Sequence, residues 1–115
     1  MGVRRVPAEK IVLKPITEGM WKGTNINEIF PSTGDTDMSA GIHEIFKGEY
    51  VVEKAPVADV LHILEGEIEI EADGVTETFG PGDFAYLTIG VPQKYTVSDR
   101  VKLVYVTYPA NWTSE

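Results

Sequence analysis

Residues 59–97, DVLHILEGEIEIEADGVTETFGPGDFAYLTIGVPQKYTV, decide the fold. Apolar residues come here in short runs rich in β-branched and aromatic types, and each run stops at Gly, Pro or Asp. Within EIEIE, Glu67, Glu69 and Glu71 fall on one face of a strand and Ile68 and Ile70 on the other, because strand side chains alternate. The glutamates read as a solvated outer face, since three carboxylates two residues apart would be costly in a dry cavity. Asp73 and Gly74 then form a two-residue hairpin turn whose central residues both need positive φ. That turn sets Thr76 opposite Glu71 and Thr78 opposite Glu69.

The same texture extends outward. MSAGIHEIF (38–46), GEYVVEKAP (48–56) and VKLVYVTYP (101–109) read as further strands, and no helical period separates any of them. Close-spaced strands without crossover helices indicate an all-β sandwich or barrel of antiparallel hairpins. At 115 residues the chain suits a single domain. Ahead of the 38–110 core, residues 1–37 read as an N-terminal strand over EKIVLK (9–14) and a turn-rich arm. In that arm Trp21 and Phe30 are anchors for core or lid packing. Residues 111–115 are a tail.

Bulk chemistry narrows the function. There is no cysteine, which removes disulfides, thiolate metal sites and cysteine nucleophiles. A formal net charge of −8 with no basic stripe repels phosphate backbones, so nucleic acid is not an expected partner. The apolar run after Arg4 and Arg5 is too short and interrupted for a signal peptide or membrane span, so a cytoplasmic protein with no membrane partner is expected.

The order of a strand ending in LEG, a DG hairpin, GPGD and a strand leading into a G-V-P turn resembles a cupin. MSAGIHEIFKGEY before this core and YVTYPANW after it resemble the cupin domain of the ethanolamine-utilisation Q proteins. The resemblance implies an all-β cupin-type jelly-roll barrel (a double-stranded β-helix), a homodimer, and a place in the bacterial cytoplasm near ethanolamine-degrading microcompartments. An acidic D-E-x-D cluster typical of that family is reduced here to Asp59, within ADVL. An acetate-kinase role has been attached to the family. Phosphoryl transfer needs a phosphate cradle and carboxylates for Mg²⁺, and no Gly-rich loop followed by Lys and Ser or Thr occurs in this chain.

Metal-binding cupins use two histidines and a Glu on one motif and a third His on the next, ligands suited to Fe, Mn, Ni or Zn. By this resemblance the carboxylate position falls on Asp59. The paired-histidine positions fall near Glu53 and Ala55, or on Val52 and Lys54 if the spacing is one longer, and the third falls on Gln93, a weak amide ligand. A cupin that has lost its usual metal centre is therefore expected to need no cofactor. If a divalent metal does bind, Asp59, Gln93 and His43 are its candidate ligands, and an isomerase, dioxygenase or hydrolase is the alternative reading. His62 sits three residues beyond Asp59 and so faces away from it.

Neither a serine elbow, nor HExxH, nor a Rossmann glycine pattern is present. Asp59 could pair with Glu44 or Glu53 for acid–base work. Tyr86, Tyr95 and Tyr105 could supply the walls and polar tips of a pocket. The expected function is thus a binding or accessory cupin. It would hold a small polar metabolite with Asp59, Gln93, Glu53, Tyr86, Tyr95, Tyr105 and His43.

Overall fold

The computed structural model describes residues 2–112. A 3₁₀ turn at Ala8–Lys10 precedes eight strands: β1 (Lys14–Pro15), β2 (Asn25–Phe30), β3 (Ser39–Val52), β4 (Ala58–Gly66), β5 (Ile68–Ala72), β6 (Val75–Phe79), β7 (Phe84–Leu87) and β8 (Gln93–Tyr108). Two long strands organise the rest. β3 and β8 pair antiparallel from Ser39↔Thr107 to Val52↔Gln93. The other edge of β8 pairs first with β5, at Glu69↔Thr96 to Ala72↔Gln93, and then with β4, at Gly66↔Val101 to Ala58↔Tyr108. One half of the sheet is therefore ordered β1-β2-β3-β8-β4-β7, while β5 and β6 extend the other half, and the whole curls into a jelly-roll barrel.

The hairpin at the centre of the sequence forms as its residues require. Glu71 pairs with Thr76 and Glu69 with Thr78. Asp73 and Gly74 take φ of 51° and 83°. Ile68 and Ile70 are buried, and Glu69 and Glu71 are exposed. Gly66 of LEG has φ +81°, and a Cβ there would run into the backbone carbonyl of Arg100 on β8. A glycine is needed where β4 leaves its partner.

Three boundaries differ from those expected. GEYVVEKAP does not form a separate strand: β3 runs through Gly48 with a register shift between Phe46 and Gly48, and it stops at Val52. Ser98–Asp99 likewise lie inside β8 rather than between two strands. The turn-forming residues at both places mark a bulge that bends two continuous strands, not their ends. Residues 9–14 give only the 3₁₀ turn and the start of the two-residue β1. The arm instead contributes β2, in which Ile26 lies opposite His43 and packs on the core. The tail also differs from its expected role, since Trp112 packs against the core. Residues 113–115 lie outside the described residues.

The core is the inner face of the curled sheet. Ile45, Leu61, Ile63, Ile68, Val97, Val101 and Leu103 are each no more than 5% exposed, at alternate positions along β3, β4, β5 and β8. Burying an aliphatic side chain of this size contributes about 1.5–3 kcal/mol. Polar residues sharing this inner face are conspicuous by contrast, and they gather at one end.

Candidate binding cavity

On β4 the inward alternation that buries Leu61 and Ile63 also aims Asp59 into the barrel. Asp59 lies opposite Thr107 and Leu61 opposite Tyr105 on β8, which makes Asp59 and Tyr105 diagonal neighbours on the inner face. β3 brings His43 to the same space, and Tyr95 comes from the first half of β8. Trp21, from the loop before β2, stacks on Tyr50 at 4.8 Å and on Tyr95 at 5.6 Å between ring centroids, and meets His43 edge-on at 5.0 Å. Trp112 closes another side, edge-on to Tyr105 at 5.7 Å. Together they line a partly open cavity of about 60 Å³. That is space for roughly four water-sized groups.

The polar atoms of this cavity are unusually underused. Asp59 Oδ1 is buried without a hydrogen-bond partner, while Tyr105 Oη and Trp112 Nε1 are buried with no partner beyond their own mutual contact. Buried polar groups in folded proteins are nearly always paired, so an orphaned carboxylate oxygen on the wall of a cavity marks it as built for something polar. Lost hydration raises the Asp59 carboxyl from 3.8 to about 7. Burial likewise raises the Tyr95 and Tyr105 phenols, with the Asp59 charge adding to both. Gly41 makes the room for Tyr105: a Cβ at that position would stand 2.6 Å from the Tyr105 hydroxyl.

His43 is held neutral and in one tautomer. Burial lowers its pKa from 6.5 to about 4. The Thr24 hydroxyl donates to the Trp21 carbonyl at 2.6 Å and lies 2.8 Å from His43 Nε2. With its one proton used, the hydroxyl can only accept, so Nε2–H donates to it and Nδ1 keeps the lone pair. The chain of contacts ties the Trp21 loop to the barrel wall.

Of the residues expected from the sequence, Asp59, His43, Tyr95 and Tyr105 converge here. Gln93 is buried one step behind, accepting a hydrogen bond from the Tyr95 hydroxyl at Oε1. Glu53 does not join them, because β3 ends at Val52 and Glu53 is exposed in the bend that follows. Tyr86 is 69% exposed on the outside of β7, where its neighbours Ala85 and Leu87 take the inner positions. Nor does Asp59 have a carboxylate partner: Glu44 points outward to Asn25 and Arg100. His62 faces away from Asp59 and stacks on Phe84 at 4.2 Å. Trp21 was legible as a lid residue, while Trp112 and Thr24 carried no periodic signal.

As a metal centre the donor set does not fit. Asp59 offers a carboxylate and His43 an imidazole nitrogen, but Gln93 is bound to Tyr95 and Glu53 lies outside. Among the described residues no three His, Asp or Glu side chains cluster to hold a metal ion.

The sequence profile of ethanolamine utilisation protein EutQ matches residues 23–114. The chain belongs to the EutQ family. A putative ethanolamine utilization protein Q from Salmonella typhimurium LT2 superposes with a TM-score of 0.79 at 18% identity, covering 96% of this chain and 89% of that one. An RmlC-like cupin from Shewanella frigidimarina gives 0.72 at 21% identity over 90% and 88% of the two chains. The fold is thus that of a single-domain cupin barrel. Curated relatives called acetate kinase EutQ are 28% identical over 57 residues in Clostridioides difficile strain 630 and 35% identical over 52 residues in Escherichia coli K12. Those matches span 50% and 45% of this chain but only 36% and 22% of the relatives' length.

Proposed function

We propose that this EutQ-family cupin binds a small polar metabolite in the cavity beside Asp59 and serves a binding or accessory role in bacterial metabolism. The observation that carries the reading is Asp59 Oδ1, buried without a partner on the wall of a cavity it shares with His43, Tyr95 and Tyr105. Leaving such a group dry costs about 1–3 kcal/mol, which a bound polar molecule would relieve. Thermal-shift screening of metabolites against the wild type, Asp59→Asn and Gln93→Ala tests it. Shifts that both variants retain in full would sink the assignment.

We place the protein in the cytoplasm as a homodimer. Among the described residues no helix is long and apolar enough to cross a membrane. The outer face of β7, β4, β8 and β3 supports self-association. Phe84 and Tyr86 pair there with His62 and Val60, which in turn lie beside Val104 and Val106. Phe84 and Tyr86 are 68% and 69% exposed. An isologous contact through such a face would cover them.

The curated relatives' name offers acetate kinase as a second reading. A cavity of about 60 Å³ is too small for a nucleotide, and no Lys or Arg lines it. Acetate-dependent phosphoryl transfer by this chain would have to use another surface, and a coupled ATP assay on the purified protein decides it.

A further inference from the structure

Two indoles reach the cavity from outside the strands, and the chain holds them differently. Trp112 is tied on several sides. It meets Tyr105 edge-on and through a side-chain hydrogen bond, its backbone N–H donates to the Ala110 carbonyl at 2.9 Å, and Thr107 donates to the Pro109 carbonyl in the turn before it. Trp21 sits on a loop that rests on the barrel through one side chain. The loop is closed at its neck, where Ile16 N–H donates to the Thr24 carbonyl at 2.8 Å and Gly23 N–H to the Ile16 carbonyl at 3.0 Å. Beyond the neck Lys22 N–H donates to the Gly19 carbonyl at 3.1 Å, so the backbone bonds of the loop are made within it. Residues 17–20, 22 and 23 are exposed, and Trp21 alone turns inward, onto Tyr50, Tyr95 and His43.

Glycines stand two residues to either side of that indole. Gly19 and Gly23 have φ of 84° and 90°, and a Cβ at either would meet nothing within 4 Å. Space is therefore available at both, and the left-handed backbone is what selects glycine, the residue that changes φ most freely. Thr24 is the fixed post beside them: it is fully buried, donates to the Trp21 carbonyl and accepts the Nε2 proton of His43. Size makes this contrast matter, because a cavity of about 60 Å³ is far below the roughly 300 Å³ at which small-molecule sites begin. The walls from β3, β4 and β8 are held by ladder pairing along their length. The Trp21 indole can leave by giving up ring contacts alone.

We propose that the segment Gly19–Gly23 is the entrance lid of the cavity, bending at its two glycines to lift the Trp21 indole off Tyr50, Tyr95 and His43 while Thr24 stays on the wall. The inference rests on the small-molecule reading above and adds how a ligand reaches Asp59. Opening itself requires no ligand, so the two readings fail separately.

The two histidines of the chain supply the test, since His43 is 6% exposed beneath Trp21 and His62 lies on the outer face. Diethyl pyrocarbonate acylates neutral imidazole, the form His43 keeps at pH 7, and is too bulky for a space of a few water-sized groups. The full chain is treated at pH 7 in urea from zero to about 2 M, below its unfolding transition, and each histidine is followed by mass spectrometry of its peptide. Lid opening exposes little surface, so the His43 rate should change less than about twofold per molar urea. Labelling through global unfolding would instead rise about tenfold per molar. Trp21→Phe, which shrinks the ring that closes the lid, should speed His43 about tenfold without urea and leave His62 unchanged. A His43 rate that climbs with urea in step with unfolding, or one that Trp21→Phe leaves unchanged, makes the segment a fixed wall and overturns the lid. If His43 labels by local opening and no metabolite gives a thermal shift, the lid stands and the binding reading falls. If a metabolite binds and His43 labels only on unfolding, the binding reading stands and the lid falls.

Discussion

Asp59→Asn should change the pH dependence of stability in a way that its location alone dictates. In the folded protein the carboxyl titrates at about 7 instead of 3.8. Between those values the folded state holds a proton that the unfolded state has released, so the Asp59 contribution is full below about pH 4 and is lost as pH rises through 7. At about 1.4 kcal/mol per pH unit the loss is about 4 kcal/mol. His43 works in the opposite direction. Its folded value is about 4 against 6.5, so its contribution is full above 6.5 and is lost as pH falls towards 4, by about 3 kcal/mol. Between pH 4 and 6.5 the two slopes cancel in the wild type. Asp59→Asn removes one of them, adds a pH-independent cost of about 1–3 kcal/mol for its buried amide, and unmasks the His43 slope. Urea unfolding from pH 4 to 8 reads this through tryptophan fluorescence, since both tryptophans of the chain, Trp21 and Trp112, line the cavity. The stability of the variant relative to wild type should climb by about 4 kcal/mol from pH 4 to pH 7 and then level. Parallel curves for the two proteins would refute the burial of an ionisable Asp59.

Other consequences follow from single contacts. Gly41→Ala would drive its Cβ into the Asn27 backbone carbonyl on β2 and to within 2.6 Å of the Tyr105 hydroxyl, and thermal unfolding should register about 1–3 kcal/mol of overpacking, or more if the backbone cannot shift. Thr24→Val removes the acceptor of His43 Nε2–H and frees the Trp21 loop, so quenching of Trp fluorescence by acrylamide should increase while far-ultraviolet dichroism stays unchanged. Phe84→Lys with Tyr86→Lys should convert a dimer into a monomer by light scattering at micromolar concentration, with no loss of thermal stability in the barrel core. A wild-type monomer at that concentration contradicts the association through β7 and β4.

The central hairpin was legible because its signals agreed: alternation, a DG turn and a bounding glycine each require the same register, and β5 and β6 adopt it. Lengths were harder. Gly48 and Ser98–Asp99 look like turns in one dimension, yet the pairing of β3 with β8 continues past both, and long-range pairing outweighs local turn preference. The cupin resemblance put Asp59 at a ligand position and alternation turned His62 away from it, and in the structure Asp59 lines the cavity while His62 stacks on Phe84. Tyr86, expected among the pocket walls for its place near the second motif, lies on the outer face instead. In FAYL the small Ala85 and Leu87 are the buried pair, and Phe84 and Tyr86 form the outer face. Glu53 failed by one residue, since alignment to a metal-binding motif placed it beyond a strand that ends at Val52. Thr24 and Trp112 reach the cavity from segments without periodicity, and only the three-dimensional path of the chain brings them there.

The most direct test is a fluorescence titration of the wild type and Asp59→Asn with a panel of small polar metabolites, because the tryptophan emission of this chain comes from Trp21 and Trp112 in the cavity wall. A saturable change in the wild type that Asp59→Asn abolishes is expected. A panel without any saturable change, or one whose response Asp59→Asn leaves intact, would contradict the cavity as the binding site.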